Sequence, residues 1–366
     1  MLITILNQSR RNALADMYKN IVNVIAIKNK FNIVSVIPKG YDIKEYNNFF
    51  YKKINDELSG AGKLKKFYLI LKLIKEIKKI FYETKKRKIL FFHENAWMNI
   101  IIYLLLLKRN IDYYVWIHDP IVHLGENKRI NIIRWIAFHT YIKKAKYLIV
   151  GYEEGKNILK NKYKLEEKRI LVLYLPQLRE LEFENIKNDK LIKIKYDFIF
   201  YGNIEKYKGI DLLVDAFKSE DLNNINLLIV GRGKEDKKIK KIVDEMKNVT
   251  FINRYVSNED LAKYIMQSRY VILPYITATG SQTVQIANYY EKMVLATRVG
   301  CFLEYVKEGE NGYFIDNNTK EDLKKYILKY YNVKPENNQK EKIKKMYNKF
   351  DIENISLKLY NMIIKS

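Results

Sequence analysis

Short apolar runs alternate with stretches of helical periodicity along almost the whole chain, and this alternation constrains the fold more than any other feature. Runs of four to six residues between polar flanks are typical of buried strands, and the stretches between them are typical of helices that cover a sheet. We therefore predict an α/β fold with parallel sheets. The expected strands are Leu2–Leu6, Asn32–Ile37, Ile89–Phe92, Asp112–Ile117, Lys146–Val150, Ile170–Leu173, Tyr196–Tyr201, Asn226–Val230, Val249–Ile252, Tyr270–Pro274, Met293–Ala296 and Gly312–Ile315.

The alternation occurs twice in series, which predicts two doubly wound, Rossmann-like domains in the 366-residue chain. A polar, charge-rich stretch without strong periodicity separates the two halves. We expect a first domain over residues 1–175, a linker over 176–190, a second domain over 191–350 and a final helix over 351–366.

The formal net charge of +25 indicates an anionic partner, which is a nucleic acid, an anionic membrane surface or a phosphorylated substrate. The chain is also rich in Lys, Asn, Ile and Tyr, so compositional bias accounts for part of the excess. The sequence contains no helix-turn-helix, zinc module or RNP-like aromatic motif, and we expect no nucleic-acid partner.

The cellular location is predicted from three simple features. The N-terminal residues place an apolar run before the charges, the reverse of a signal peptide, and no apolar run approaches the ~18 residues that a membrane span needs. A single cysteine, Cys301, excludes a disulfide framework. We expect a cytoplasmic protein, peripheral on the inner face of the cell membrane.

The segment 63–88 combines an apolar stripe with eleven Lys or Arg residues against two glutamates. An apolar face with a cationic remainder is typical of a helix that lies on an anionic membrane. The alternative is a surface helix with its stripe buried in the core and its lysines solvated. The stripe consists of Phe67, Ile70, Leu71, Ile74, Ile77 and Phe81.

The strongest local motif is FIFYGNIEKYKGIDLLVDAF, from Phe198 to Phe217. Here a predicted strand ends at Gly202, a basic loop follows, and Lys208 comes directly before a predicted helix. Free backbone N–H groups at such a turn favour a phosphate, and Lys208 adds a positive charge. Directly after the next predicted strand, Gly231 and Gly233 permit a tight turn close to a ligand.

Downstream segments follow in a characteristic order: LLIVGRG, FINRYVSNEDLAKYIMQSRYVILPY and ITATGSQTVQIANYYEKMVLATRVG. From Tyr196 to Ile315 this order resembles the donor-binding half of retaining GT-B glycosyltransferases of family four, in a subgroup that builds bacterial surface polysaccharides. The first half resembles the family more loosely. The resemblance implies two domains that face each other across a cleft, with the final helix crossing back to the first domain.

The resemblance also implies roles for residues of the second half. Lys208 matches the lysine that contacts the donor diphosphate, and Asn203 stands where the family usually has an arginine. Thr277 and Gln285 stand at the positions of two family glutamates, and Gln285 can still hydrogen-bond a ribose. The donor-binding set is Gly202, Asn203, Lys208, Gly231, Arg254, Tyr255, Val256, Thr277, Thr279, Gly280, Ser281, Gln282 and Gln285.

In the first half, His118 ends a predicted strand, and Asp119 and Pro120 turn the chain. The motif resembles the family loop whose histidine faces the sugar, so His118 joins Lys208 and Gln285 as a catalytic candidate; the alternative is a buried core histidine. The acceptor-side candidates are Asn7, Glu94, Asp119 and His123.

The histidines are scattered and the sequence contains no Asp-x-Asp pattern, so we expect neither a metal nor a cofactor. The predicted function is retaining transfer of a hexose from a nucleoside diphosphate sugar, with UDP favoured, to a lipid-linked bacterial surface glycan. One alternative is a sugar-nucleotide epimerase on the same fold, for which Glu94 and His123 are the cleft candidates. The other is a non-catalytic GT-B partner subunit that binds glycan or a sister transferase, because Asn203 and Thr277 replace two usual functional groups.

Overall fold

The computed structural model describes residues 2–5, 13–29, 33–38, 49–54, 62–82, 88–92, 99–100, 103–104, 111–121, 128–177, 179, 182–233, 237–333 and 338–365. The chain divides into two compact units. The first holds the described residues up to 121, residues 128–175 and the final helix from 352, and the second holds residues 176–351. Each unit contains one parallel sheet with helices between its strands, which confirms the predicted α/β fold.

The first unit carries strands β1 (Leu2–Ile5), β2 (Ile33–Pro38), β3 (Phe49–Ile54), β4 (Lys88–Phe91), β5 (Asp112–Ile117), β6 (Tyr147–Val150) and β7 (Ile170–Val172). Its helices are α1 (Ala13–Asn29), α2 (Lys63–Tyr82), α3 (Lys128–Thr140) and α4 (Glu153–Tyr163). The described strands are ordered β3-β2-β1-β4-β5-β6-β7, all parallel. Strand β3, at one edge, was not predicted.

Two apolar layers cover the faces of this sheet. On one face α1 and the final helix, labelled α13 below, pack over alternate residues of β4 and β5, such as Leu90 and Trp116. On the other face α2 and α3 pack over Phe91 and Val115. The alternation follows from the pleat of a strand, which points successive side chains to opposite faces.

In the described part of the chain no helix is both long and apolar enough to cross a membrane.

The second unit carries strands β8 (Tyr196–Tyr201), β9 (Leu227–Gly231), β10 (Val249–Asn253), β11 (Ser268–Leu273), β12 (Met293–Thr297) and β13 (Gly312–Ile315). Its helices are α5 (Glu184–Lys187), α6 (Ile210–Phe217), α7 (Lys237–Asp244), α8 (Asn258–Met266), α9 (Thr283–Tyr289), α10 (Phe302–Tyr305), α11 (Lys320–Tyr330) and α12 (Gln339–Tyr347); α13 (Ile352–Lys365) returns to the first unit. The strand order is β10-β9-β8-β11-β12-β13.

Helix α6 illustrates why these sequences form helices. Ile210, Leu213, Val214 and Phe217 recur at helical spacing, and all four are buried. In the same unit Ser257 caps α8, because its hydroxyl accepts a hydrogen bond from the backbone N–H of Asp260 at 3.0 Å. Apolar periodicity and local capping thus fix the helices that position the second sheet.

Candidate functional site

The predicted donor-binding residues lie at one edge of the second sheet. Gly202 follows β8, Gly231 ends β9, Arg254 follows β10, and the loop 277–282 follows β11. These strands are parallel, so their carboxyl ends meet at the same edge, where ligands of doubly wound sheets bind. The structure therefore brings together, at one edge, residues that are up to about eighty positions apart in sequence.

Lys208 is positioned by a short turn that is fixed to the neighbouring strand. The turn is a 3₁₀ segment, Lys206–Lys208, and Gly209 follows it with φ +67°. A Cβ on Gly209 would lie 2.0 Å from the carbonyl oxygen of Pro274, so only glycine fits there. The backbone N–H of Ile276 donates to the carbonyl of Tyr207 at 2.7 Å, which holds the turn against the end of β11.

Lys208 is an almost buried cation, with 8% of its surface exposed. Its Nζ lies 5.4 Å from the ring centroid of Tyr275 and 5.8 Å from that of Tyr207. Among the described residues, no carboxylate lies within 4.0 Å of this Nζ. Burial of an ammonium group without an anion is unfavourable, and aromatic faces offset only part of the cost. The arrangement therefore favours a bound anion at Lys208.

The two tyrosines beside Lys208 were not among the predicted site residues. Tyr207 precedes Lys208 directly, and Tyr275 follows Pro274 just after a strand of the same edge. Aromatic residues at strand ends next to a candidate phosphate lysine are a usable signal, since a ring face attracts a cation.

Gly231 and Gly233 lie against neighbouring backbone, a role that the sequence did not indicate. A Cβ on Gly231 would lie 1.8 Å from the carbonyl oxygen of Gly202, and one on Gly233 would lie 2.2 Å from that of Ile204. The space is taken by the backbone after β8, which hydrogen-bonds here through Ile204 N–H and the Arg232 carbonyl at 3.1 Å. These glycines permit close approach of two backbone segments, and so they shape the loop that carries Lys208.

The loop 277–282 leads into α9, which begins at Thr283. Thr279 is buried, Gly280 is exposed and Ser281 is half-buried, its hydroxyl 2.8 Å from that of Thr283. The side chain of Gln282 is directed elsewhere: its Nε2 donates to the carbonyl of Pro176 at 2.6 Å. Pro176 begins the stretch 176–351 of the second unit, so Gln282 anchors the start of that stretch with its side chain.

The remaining donor-side residues differ in exposure. Arg254 and Tyr255 are exposed and Val256 is half-buried, beside the end of β10, and Asn203 is exposed after β8. Thr277 is half-buried. Gln285, by contrast, lies inside α9 and has no exposed surface. Its predicted contact with a ribose stays a prediction.

In the first unit His118 follows β5 at the carboxyl edge of the sheet. Its Nε2 lies 2.8 Å from the carbonyl oxygen of Phe92, and its ring stacks on Trp116 with centroids 5.9 Å apart. A carbonyl oxygen only accepts, so Nε2 carries a proton and donates it to Phe92. Asp119 is half-buried beside it, whereas Asn7, Glu94 and His123 lie outside the described residues.

Comparison with known families bears on this second unit. Residues 182–348 match the family model of the glycosyl transferases group 1. The group 1 match contains Lys208, the loop 277–282 and every strand of the second sheet.

Curated relatives match part of the chain. The chain is 31% identical over 140 residues to the uncharacterized glycosyltransferase MJ1178 of Methanocaldococcus jannaschii, a match that covers 37% of this chain and 39% of that protein. The chain spans about half the length, or less, of the curated relatives it matches. Together with the group 1 match, these names support a glycosyltransferase.

Solved structures match the whole chain. Anabaena Alr3699/HepE in complex with UDP and glucose has a TM-score of 0.71 at 12% identity, and covers 100% of this chain and 99% of its own. WaaG, a glycosyltransferase involved in lipopolysaccharide biosynthesis, has a TM-score of 0.67 at 14% identity, with 99% of each chain covered. At such identities the likeness establishes the fold alone, and it confirms the predicted GT-B architecture.

Proposed function

We propose that this protein is a retaining glycosyltransferase that moves a hexose from a nucleoside diphosphate sugar, with UDP favoured, to a lipid-linked bacterial surface glycan. The observation that carries the proposal is Lys208, a nearly buried cation with no carboxylate beside it in the described residues, at the ligand-binding edge of a sheet that matches group 1. Two phosphates of a leaving nucleotide supply the anion that this position favours.

Each unit has a separate part in the proposed reaction. Lys208 and the backbone amides of residues 279–282 hold the diphosphate and stabilise the charge that develops as it leaves. His118 of the first unit is the proposed contact to a sugar hydroxyl. A fixed lysine supplies positive charge without a metal, so we propose metal-independent transfer. UDP is favoured because the structurally similar HepE is in complex with it.

The experiment is a thermal-shift panel with UDP, GDP, dTDP, ADP and CMP. A ligand at a hundred times its dissociation constant stabilises by ~2.7 kcal/mol, which such an assay detects readily. We expect the largest shift with UDP. If none of the five nucleotides shifts the unfolding midpoint, the donor assignment fails.

We further propose that the first unit binds an anionic membrane surface through α2 and α3. Ile74 of α2 and Phe138 of α3 pack on the same face of the sheet, but both helices also expose large apolar residues, including Phe67 at 60% and Trp135 at 62%. The predicted stripe of α2 is therefore split between core and surface. The exposed apolar residues are Leu64, Phe67, Tyr68, Leu71, Ile132, Trp135 and Ile136, and the exposed lysines of α2 are Lys65, Lys72, Lys75, Lys78 and Lys79.

Vesicle co-sedimentation tests the membrane proposal. Each lysine near an anionic surface contributes about 1 kcal/mol, so Lys72→Glu/Lys75→Glu should weaken binding to phosphatidylglycerol vesicles by roughly thirtyfold or more. The matched control is Lys344→Glu/Lys345→Glu, which reverses two exposed charges on α12 of the second unit. Equal binding to neutral and anionic vesicles, or equal effects of the two double variants, would contradict the proposal.

A further inference from the structure

Tyr275 carries a buried hydroxyl whose position calls for an explanation. The residue is 1% exposed, and its hydroxyl has no hydrogen-bond partner among the residues that the structure describes. A buried hydroxyl without a partner is unfavourable, and a phenylalanine of the same shape would avoid the cost. Such a group in a folded protein points to a partner that binds from outside the chain.

The ring of Tyr275 is held firmly, so the hydroxyl has a defined location. Tyr207 packs on it edge to face with centroids 6.0 Å apart, and Phe302 packs at 5.1 Å. Its backbone is fixed as well, because the hydroxyl of Thr297 donates to the Tyr275 carbonyl at 2.6 Å. The ring therefore does not need to reorganise for its hydroxyl to meet a ligand.

Gly202 leaves a small space next to this hydroxyl. Its φ is +127°, a conformation that favours glycine, and the position a Cβ would take lies 3.0 Å from Nζ of Lys208 and 4.0 Å from the hydroxyl oxygen of Tyr275. No other described heavy atom lies within 4 Å of that position, apart from Gly202 and its chain neighbours. One cationic donor and one neutral donor thus border a space from which a side chain is excluded.

We propose that Tyr275 is a further donor-binding residue, whose hydroxyl donates a hydrogen bond to a phosphate oxygen that Lys208 holds above Gly202. The proposal rests on the proposed function, because the ligand is the diphosphate of the sugar donor. An oxygen acceptor there satisfies the Tyr275 hydroxyl and neutralises Lys208 together. Tyrosine and lysine act as one anion site, and the missing Cβ of Gly202 gives the oxygen access.

The test compares Tyr275→Phe with Tyr201→Phe. Tyr201 immediately precedes Gly202 and is equally buried, but its hydroxyl is already used, since it donates to the carbonyl of Thr283 at 2.6 Å. Isothermal titration calorimetry with UDP and with inorganic pyrophosphate measures affinity, and thermal unfolding without ligand measures stability. The pyrophosphate titration reports on the anion site without a base.

The two variants should have opposite signatures. Tyr275→Phe should bind UDP and pyrophosphate at least about tenfold more weakly, as expected for loss of a hydrogen bond to a charged group, and should keep or raise its unfolding midpoint. Tyr201→Phe should keep its affinities and lower its midpoint by about 2–4 °C or more.

Other outcomes overturn the inference in distinguishable ways. If the wild type binds UDP but Tyr275→Phe binds both ligands equally well, the Tyr275 assignment is wrong and the proposed function stands. If Tyr275→Phe loses stability as Tyr201→Phe does, the hydroxyl serves the fold instead. If the wild type binds neither UDP nor pyrophosphate, the proposed function and this inference fail together.

Discussion

Replacement of Lys208 with methionine should weaken nucleotide binding and stabilise the ligand-free protein at the same time. The lysine side chain is 8% exposed, and methionine fills a similar volume without a charge. Burial of an ammonium group costs several kcal/mol, whereas its two ring contacts, with Tyr275 and Tyr207, return about 0.5–2 kcal/mol each. The net gain in the free energy of unfolding is on the order of 1 kcal/mol.

The loss in affinity follows from the same geometry. A hydrogen bond to a charged group contributes about 1.5–3 kcal/mol, so Lys208→Met should bind UDP roughly ten to a hundred times more weakly. Calorimetric titration and thermal unfolding of the same samples measure the two effects. Lys206→Met is the matched control, because Lys206 is exposed in the same turn and should change neither quantity appreciably. Lower stability with unchanged UDP affinity in Lys208→Met would refute the reasoning.

Three further predictions concern the second unit. Gly209→Ala should lower its stability by about 2 kcal/mol or more, because φ is +67° and the new Cβ would meet the Pro274 carbonyl at 2.0 Å; an unchanged denaturation midpoint would contradict this. Burial, and secondarily the charge of Lys340, lowers the pKa of Lys292 to about 8, so between pH 8 and 10.5 the folded protein has released a proton that the unfolded chain still binds. The free energy of unfolding of the wild type, measured in urea relative to that of Lys292→Met, should therefore rise by about 3 kcal/mol from pH 8 to 10.5. If this difference does not change with pH, the pKa of Lys292 is ordinary. The proposed mechanism uses Lys208 for the positive charge, so EDTA should leave donor turnover unchanged within about twofold. Loss of turnover in EDTA and its recovery on added Mg²⁺ would show metal dependence.

The sheets could be predicted from sequence because their strands are short apolar runs bounded by polar residues. All twelve predicted strands have a counterpart in the structure within two residues at each end. Strand β3 could not be predicted in this way, because Lys52 and Lys53 interrupt its apolar residues. It lies at the sheet edge, where lysines discourage pairing with strands of other chains. Its sequence therefore reflects protection of the edge and not burial in the core.

The candidate site was predictable in its location but only partly in its contacts. Lys208 stood out because a lysine before a helix suggests a phosphate. Gln282 hydrogen-bonds Pro176, and Gly231 makes room for the carbonyl of Gly202. The partners in each pair are distant in sequence, so these contacts could not be predicted. The orphaned hydroxyl of Tyr275 is equally invisible in a sequence, since only the packed structure shows which polar atoms lack partners.

The most direct test of the central claim is release of a nucleoside diphosphate from sugar donors by the purified protein. UDP-, GDP-, dTDP- and ADP-sugars are each supplied with a lipid extract of bacterial membranes, and the released nucleotide is measured. The account predicts release above the protein-free rate with one donor, UDP-sugars most strongly, and loss of that release in Lys208→Met. If a nucleotide binds but no donor is turned over, the protein is a non-catalytic relative, and the proposed transfer is contradicted.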